Sequence, residues 1–222
     1  LSDLHCGPLV SEEQIGRGVA VAVSLRADLI AVTGDYVWRG AQHADRCARA
    51  LQSLRAPRGV YGVLGNHDYW SRDVSRVSRA ISQAGVQMLV NASAQMDAGD
   101  RAWWVCGVDD VWSGSPDLAA ALAGVPEAAF KILLCHEPDF ADTAARNGVS
   151  LQLSGHSHGG QVRLPLLGAP LLPYLGRKYP IGLRQVRGSS LQVYTNVGLG
   201  LVPPPVRFNC WPEVTHLTLR RP

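Results

Sequence analysis

Short unbroken apolar runs alternate along the chain with stretches whose apolar residues recur every three or four positions. Leu29 to Val32, Val60 to Leu64, Val86 to Val90, Trp103 to Val108, Ile132 to Cys135 and Val149 to Leu153 read as buried strands. Between them, Ile15, Val19, Ala22 and Val23 give a helical stripe that opens on the capping-box signature Ser11-Glu-Glu-Gln14 and runs to about Arg26. Ala44, Ala48, Leu51 and Leu54 mark a second helix stopped by Pro57, and Val74, Val77 and Ile81 a third stopped by Gly85. Ser115-Pro116-Asp117 caps a short alanine-rich helix, and Asp139 to Asn147 forms another with Gly148 past its end. The proline-rich tail is expected to hold strands near Gln161 to Leu164, Leu191 to Asn196 and Val214 to Leu219. With no internal repeat and no linker composition, residues 1–222 are expected to form one domain.

Strand–helix alternation in the early part implies a largely parallel sheet with right-handed crossovers, an α/β architecture. Functional groups in such sheets gather at the carboxyl ends of the strands. Asp35, Asn66 with His67, His136, and His156 with His158 each follow an apolar run. Asp3 and His5 alternate, so extended backbone turns both to one face. The apolar residues that should precede them are missing, and the first strand is therefore expected to be truncated. The stretch Leu153-Ser-Gly-His-Ser-His-Gly-Gly160 sets two imidazoles on a glycine-flanked turn, where both can face one point. Alone it also fits a glycine-rich loop with incidental histidines. The repetition of ligand-type residues at successive strand ends favours a metal site.

The donors number two aspartates (Asp3, Asp35), one asparagine (Asn66) and four histidines (His5, His136, His156, His158), with His67 beside them. That is too many for one tetrahedral zinc and suits two adjacent divalent ions with open positions. Two ions ~3.5–4 Å apart can each hold a phosphate oxygen and generate a bridging hydroxide for in-line attack. Asp35, central in chain order, is the expected bridging carboxylate. His67 is the expected proton or hydrogen-bond donor to the leaving oxygen.

Composition narrows the partners. No stretch reaches the ~20 apolar residues that span a bilayer, and no signal peptide is expected within the chain. The five cysteines (Cys6, Cys47, Cys106, Cys135, Cys210) form no C-x-x-C and read as reduced, buried thiols. They favour a reduced cytoplasmic location, or a peripheral one at the membrane. The net charge is only +3, but Arg146, Arg163, Arg177, Lys178, Arg184, Arg187 and Arg207 fall in a stretch, Asp142 to Glu213, with no acidic residue inside it. Such a region fits a phosphate ester or an anionic lipid surface, with specific nucleic acid not expected; a solvated basic face is the alternative. Leu166 to Leu175 is apolar and interrupted by Pro170 and Pro173. It is either packed core or an apolar lip beside the metals, rimmed by Arg177 and Lys178 and suited to a lipid-linked substrate. Peripheral membrane contact is expected through 164–187.

Asp3-Leu-His5, Gly34-Asp35, Gly65-Asn-His-Asp68, His136 and Gly155-His-Ser-His158 together resemble the motif set of the calcineurin-like metallophosphoesterases. Gly159-Gly-Gln-Val-Arg-Leu-Pro165, Gly176-Arg-Lys-Tyr179 and Val206-Arg-Phe-Asn-Cys210 resemble its YkuE-like branch, so the likeness covers essentially the whole chain. The resemblance implies a four-layer αββα sandwich. It implies Asp3, His5 and His158 on one metal, Asn66, His136 and His156 on the other, Asp35 between them, and His67 near the leaving group. Asn66, His67 and Arg39 are the expected substrate contacts, and Mn2+ the expected metal, with Zn2+, Fe or Ni2+ as alternatives. Relatives in the branch cleave phosphodiesters at membranes or the pyrophosphate of UDP-2,3-diacylglucosamine. The alternative is a non-catalytic interaction module, as in the retromer subunit that has lost its metals.

One position departs from the pattern. Many relatives read Gly-Asp-x-x-Asp, with the second aspartate orienting the catalytic histidine; here Trp38 stands there. Either Asp68 substitutes, or His67 acts less as an acid, and Arg39 is free to contact phosphate. Asp109 and Asp110 either help the site or form a strand-end turn, the latter favoured. His43 and His216 fall outside every motif and read as surface residues, and Trp103 and Trp104 should face opposite ways in their strand.

Overall fold

The computed structural model describes residues 1–97 and 102–220. Helix α1 (Glu12–Ser24) begins as its capping box requires: Ser11 Oγ accepts from Gln14 N–H at 3.2 Å, and Gln14 Oε1 accepts from Ser11 N–H at 2.7 Å. Strand β1 (Ile30–Thr33), helix α2 (Ala44–Leu51), strand β2 (Val60–Val63), helix α3 (Asn66–Trp70), helix α4 (Val74–Gln83) and strand β3 (Gln87–Met88) follow. Strands β1, β2 and β3 form a parallel sheet in that order. Leu1 to Cys6 runs beside β1, with Asp3 N–H donating to Gly34 O and His5 N–H to Asp35 O, each at 3.0 Å. Asp3 and His5 therefore emerge at the same sheet end as Asp35.

The second sheet holds β4 (Ala92–Met96), β5 (Trp103–Gly107), β6 (Lys131–Leu134), β7 (Leu151–Ser154), β8 (Gly182–Gln185) and β9 (Gln192–Thr195). Its order is β4-β5-β6-β7-β9-β8. Strands β5, β6, β7 and β9 are parallel, and β4 and β8 are antiparallel edges. Helices α5 (Leu118–Ala121) and α6 (Ala141–Arg146) cover its outer face.

Side-chain alternation makes the four layers. Ile30, Val32 and Val60 point outward to Ile15, Val19, Leu51, Val77 and Ile81 of the first helical layer. Tyr61 and Val63 point inward, where they meet Val105, Ile132, Leu134 and Leu151 of the second sheet. Leu133 and Cys135 turn the other way, to Leu118, Ala121, Ala141 and Ala144. Trp103 packs with the intersheet cluster and Trp104 with the outer one, as opposite faces of β5 require.

Several expectations are corrected. Strand β3 is two residues long instead of five, and β4, β8 and α3 were not expected. Both β4 and β8 are edge strands: Ala92-Ser-Ala-Gln-Met96 alternates but offers only small apolar residues at Ala92 and Ala94, and Gly182-Leu-Arg-Gln185 has no alternation and is largely exposed. Gln161 to Leu164 is no strand: only isolated bridges join Val162 to Phe208 and Leu164 to Gly168. Gln161 instead turns inward, donating to Val202 O and Pro204 O. Val214 to Leu219 joins no sheet among the described residues. Its start is tied by side chains, with Asn196 Nδ2 donating to Glu213 and to Thr215 Oγ1. The helix expected from Asp139 opens as a 3-10 turn, Pro138–Phe140, before α6.

All five cysteines are free and buried. No helix among the described residues is long and apolar enough to cross a membrane. Leu166, Leu167 and Leu171 are exposed, which overturns the packed-core reading for this part of the Leu166 to Leu175 segment. Leu166 sits at the tip of a tight turn closed by Leu164 N–H to Gly168 O at 2.8 Å.

Candidate metal centre

The loops after the strands adopt a backbone that ordinary residues avoid. Asp3 (φ 50°), His5 (48°), Asp35 (56°), His156 (69°) and His158 (50°) all lie in the left-handed region. Each such residue costs about 1–3 kcal/mol, and strain of this kind collects at functional sites. Two glycines are fixed by the same crowding. A Cβ on Gly34, itself at φ 91°, would lie 2.6 Å from His136 Nδ1, and one on Gly155 would collide with Ser2 and the Asp3 carboxylate.

Asp68 holds two of these loops together. Its Oδ1 accepts from Tyr36 N–H (2.8 Å) and Val37 N–H (3.2 Å), and its Oδ2 from Asp35 N–H and Gly65 N–H (both 3.0 Å). With both oxygens so engaged it is not available to orient His67, which corrects the expectation that it substitutes for the missing aspartate. Asp68→Ala strands these four buried donors and is expected to lower unfolding stability by about 3 kcal/mol or more. Urea denaturation measures this, and a loss below about 1 kcal/mol, the size of a single ordinary hydrogen bond, would contradict the assignment.

All seven expected ligands are buried, and the structure brings them together. His5 Nε2 and His158 Nε2 are 2.9 Å apart, and His158 Nε2 is 3.4 Å from Asp3 Oδ1. Asp35 Oδ2 lies 3.5 Å from His5 Nε2 and 3.2 Å from His136 Nε2. His156 Nδ1 is 3.0 Å from Asn66 Oδ1. The far side of two rings is fixed by main chain: His136 Nδ1 donates to Thr33 O and His156 Nε2 to Tyr174 O, each at 2.6 Å. These bonds select the tautomer, as outer partners of metal-bound histidines do. They leave His136 Nε2 facing the Asp35 carboxylate, where a proton or a metal ion must stand, and the Nδ1 lone pair of His156 facing an amide oxygen. Acceptor against acceptor at His156 and Asn66 is repulsive unless a cation lies between them, so the donor set fits bound divalent ions.

Charge tells the same story. Asp3 and Asp35 are buried with no Lys or Arg ion pair among the described residues. Burial lowers the pKa of His5 well below the ordinary imidazole value, and that of His158 to about 4. Both are thus neutral ligand-type imidazoles at pH 7. For His136 burial works the same way but is outweighed by the Asp35 charge, so its pKa is held well above the ordinary value.

His67 lies at the edge of this cluster. Its backbone N–H donates to Asp35 Oδ1 at 2.8 Å. Its ring stacks on Trp38 (centroids 4.4 Å apart, planes at 28°) and meets His5 edge-on at 4.8 Å. The residue that replaces the expected aspartate thus holds the imidazole by a face, and the buried His67 Nδ1 has no hydrogen-bond partner among the described residues. The Arg39 guanidinium lies over the Trp38 ring, 5.2 Å from its centroid, outside the ligand cluster. Asp109 and Asp110 form a strand-end turn: Asp109 accepts from Tyr69 OH and Ser115 N–H, Asp110 from Ser113 N–H.

Several supporting groups had no sequence signal because they act through main chain or come from distant parts of the chain. Thr33 and Tyr174 contribute carbonyls. Cys210 Sγ donates to His158 O at 3.2 Å. Arg207, counted above as a cation facing a partner, instead donates to the carbonyls of Val197, Gly198 and Gly200 and pins the loop behind Asp3.

Against known proteins, the family model described as calcineurin-like phosphoesterase matches residues 1–160. The chain belongs to the calcineurin-like phosphoesterases. As a member of that family it is a metal-dependent phosphoric ester hydrolase. The uncharacterized metallophosphoesterase YkuE of Bacillus subtilis is 32% identical over 99% of this chain and 77% of its own length. Phosphodiesterase YaeI of Escherichia coli is 30% identical over 99% of this chain and 80% of its own. The crystal structure of TT1561 from Thermus thermophilus shares the fold, with a TM-score of 0.57 at 15% identity over 84% of each chain. The two stacked sheets are thus a shared fold.

Proposed function

We propose that this protein hydrolyses a phosphodiester or pyrophosphate bond with two divalent ions, Mn2+ first among them. Asp3, His5 and His158 would hold one ion, Asn66, His136 and His156 the other, and Asp35 would touch both. The observation that carries this reading is the convergence of lone pairs at His5, His136, His156 and His158 on two buried carboxylates and an amide oxygen. Bound divalent ions supply Lewis-acid charge to the phosphate oxygens and an activated water. The chain's own residues do the rest: the Asp35 carboxylate fixes the approach of His67, and His67 passes a proton to the leaving oxygen. Hydrolysis of bis-p-nitrophenyl phosphate with added manganese, abolished by chelation and restored by metal, is the expected result. A folded protein that takes up no metal and cleaves nothing would favour the non-catalytic module instead.

The finer reading is a lipid-linked substrate reached at a membrane surface. Exposed Leu166, Leu167 and Leu171 support it, as do exposed Phe208 and Trp211 on the segment bridged to Val162. Exposed Arg177, Arg184 and Arg187 add positive charge along the same part of the chain. Apolar tips rimmed by cations suit an anionic lipid interface. UDP-2,3-diacylglucosamine cleaved no faster than a soluble diester would remove the lipid-linked reading and leave the phosphoesterase intact.

A further inference from the structure

Three aromatic side chains stand partly exposed beside the donor cluster, outside both the core and the ligand set. Trp70 closes α3, Trp112 lies in the turn after β5, and Tyr174 precedes Gly176; they are 45%, 41% and 58% exposed. The rings form a connected row. Trp70 meets Trp112 at 5.0 Å with planes at 78°, and Trp112 meets Tyr174 at 5.7 Å with planes at 73°. The row reaches the centre at two points: Trp70 contacts His67 at 4.7 Å, and Trp112 contacts His156 at 5.7 Å.

The row is anchored. Trp70 Nε1 donates to Ser113 Oγ at 2.9 Å. The N–H groups of Val111 and Trp112 donate to the buried Glu137 carboxylate at 3.1 and 3.3 Å. Tyr69 OH ties α3 to the same turn through Asp109, and the Tyr174 carbonyl is held by His156. These contacts keep three large rings partly in water on a fixed scaffold.

We infer that Trp70, Trp112 and Tyr174 form a subsite for a flat aromatic ring carried on one ester arm of the phosphoester. The inference rests on the phosphoesterase reading above and is independent of the lipid-linked one. Neighbouring rings set nearly perpendicular make a corner, in which an incoming ring stacks on one face and meets the edge of the next. An aliphatic chain gains no such match, and exposed Leu166, Leu167 and Leu171 take no part in the ring contacts of the row.

Equilibrium binding to the manganese-loaded protein tests this without turnover, using methyl-, cyclohexyl- and phenylphosphonate, whose C–P bonds are not hydrolysed as esters are. Phenylphosphonate is expected to bind about fivefold more tightly than cyclohexylphosphonate, the low end of what stacking on an aromatic side chain supplies. Trp112→Ala and Trp70→Leu should each bring that ratio close to one, with metal content confirming an intact centre. Equal binding of the phenyl and cyclohexyl probes, or a phenyl preference that survives both substitutions, overturns the subsite. Failure of all three to bind would instead count against the phosphoesterase reading. Adenosine 5′-monophosphate against ribose 5-phosphate repeats the comparison with a nucleobase: a preference as large as phenyl's assigns a nucleoside arm, and its absence beside a retained phenyl preference assigns a simple aryl arm.

Discussion

His67→Ala lowers kcat roughly 10²–10⁴-fold, the range that general acid–base catalysis supplies, while metal content and unfolding midpoint stay close to wild type. The separation follows from position. His67 touches the cluster through its backbone N–H on Asp35 and through ring contacts; its ring nitrogen also lies within 4.8 Å of His5 and Asp35 donor atoms, so metal content is the readout that separates a proton donor from a ligand. The loss should be largest for esters with poor leaving groups, which need a proton, and smallest for nitrophenyl esters. Loss of bound metal in step with activity would show instead that His67 is a ligand.

Asp35→Asn is expected to remove both activity and metal. The apo fold should survive, because an asparagine oxygen can still accept the His67 N–H. Metal affinity should fall by more than the roughly 10–100-fold that loss of an outer-shell partner costs, since one oxygen of Asp35 lies within 3.5 Å of His5 and His136 ring nitrogens from both halves of the donor set. Calorimetric titration of the apo protein with manganese measures it. Unchanged affinity would mean that Asp35 is not shared between the ions.

The scaffold of the site was legible in the sequence because strand ends carry the donors. The apolar runs are identifiable, and the polar residues that follow them are therefore expected at one end of the sheets. Helices α1 and α4 were equally readable from spacing and caps. Edge strands β4 and β8 were not, since β4 alternates only with small alanines before Met96 and β8 lacks alternation altogether. The expected strand at Val214 to Leu219 had a plausible pattern, but a strand also requires a neighbour with free backbone groups. The left-handed turns at Asp3, His5 and Asp35 left no clear mark either: Asp and His tolerate that backbone better than most residues but are equally common elsewhere. Trp70, Trp112 and Tyr174 are far apart in the chain, and only folding shows that they share one rim.

Anomalous X-ray scattering from a manganese-loaded crystal tests the metal centre most directly. Two peaks about 3.5–4 Å apart are expected, one among Asp3, His5 and His158 and one among Asn66, His136 and His156, with an Asp35 oxygen in reach of both. A single peak, or ions held away from these side chains, would contradict the dinuclear account.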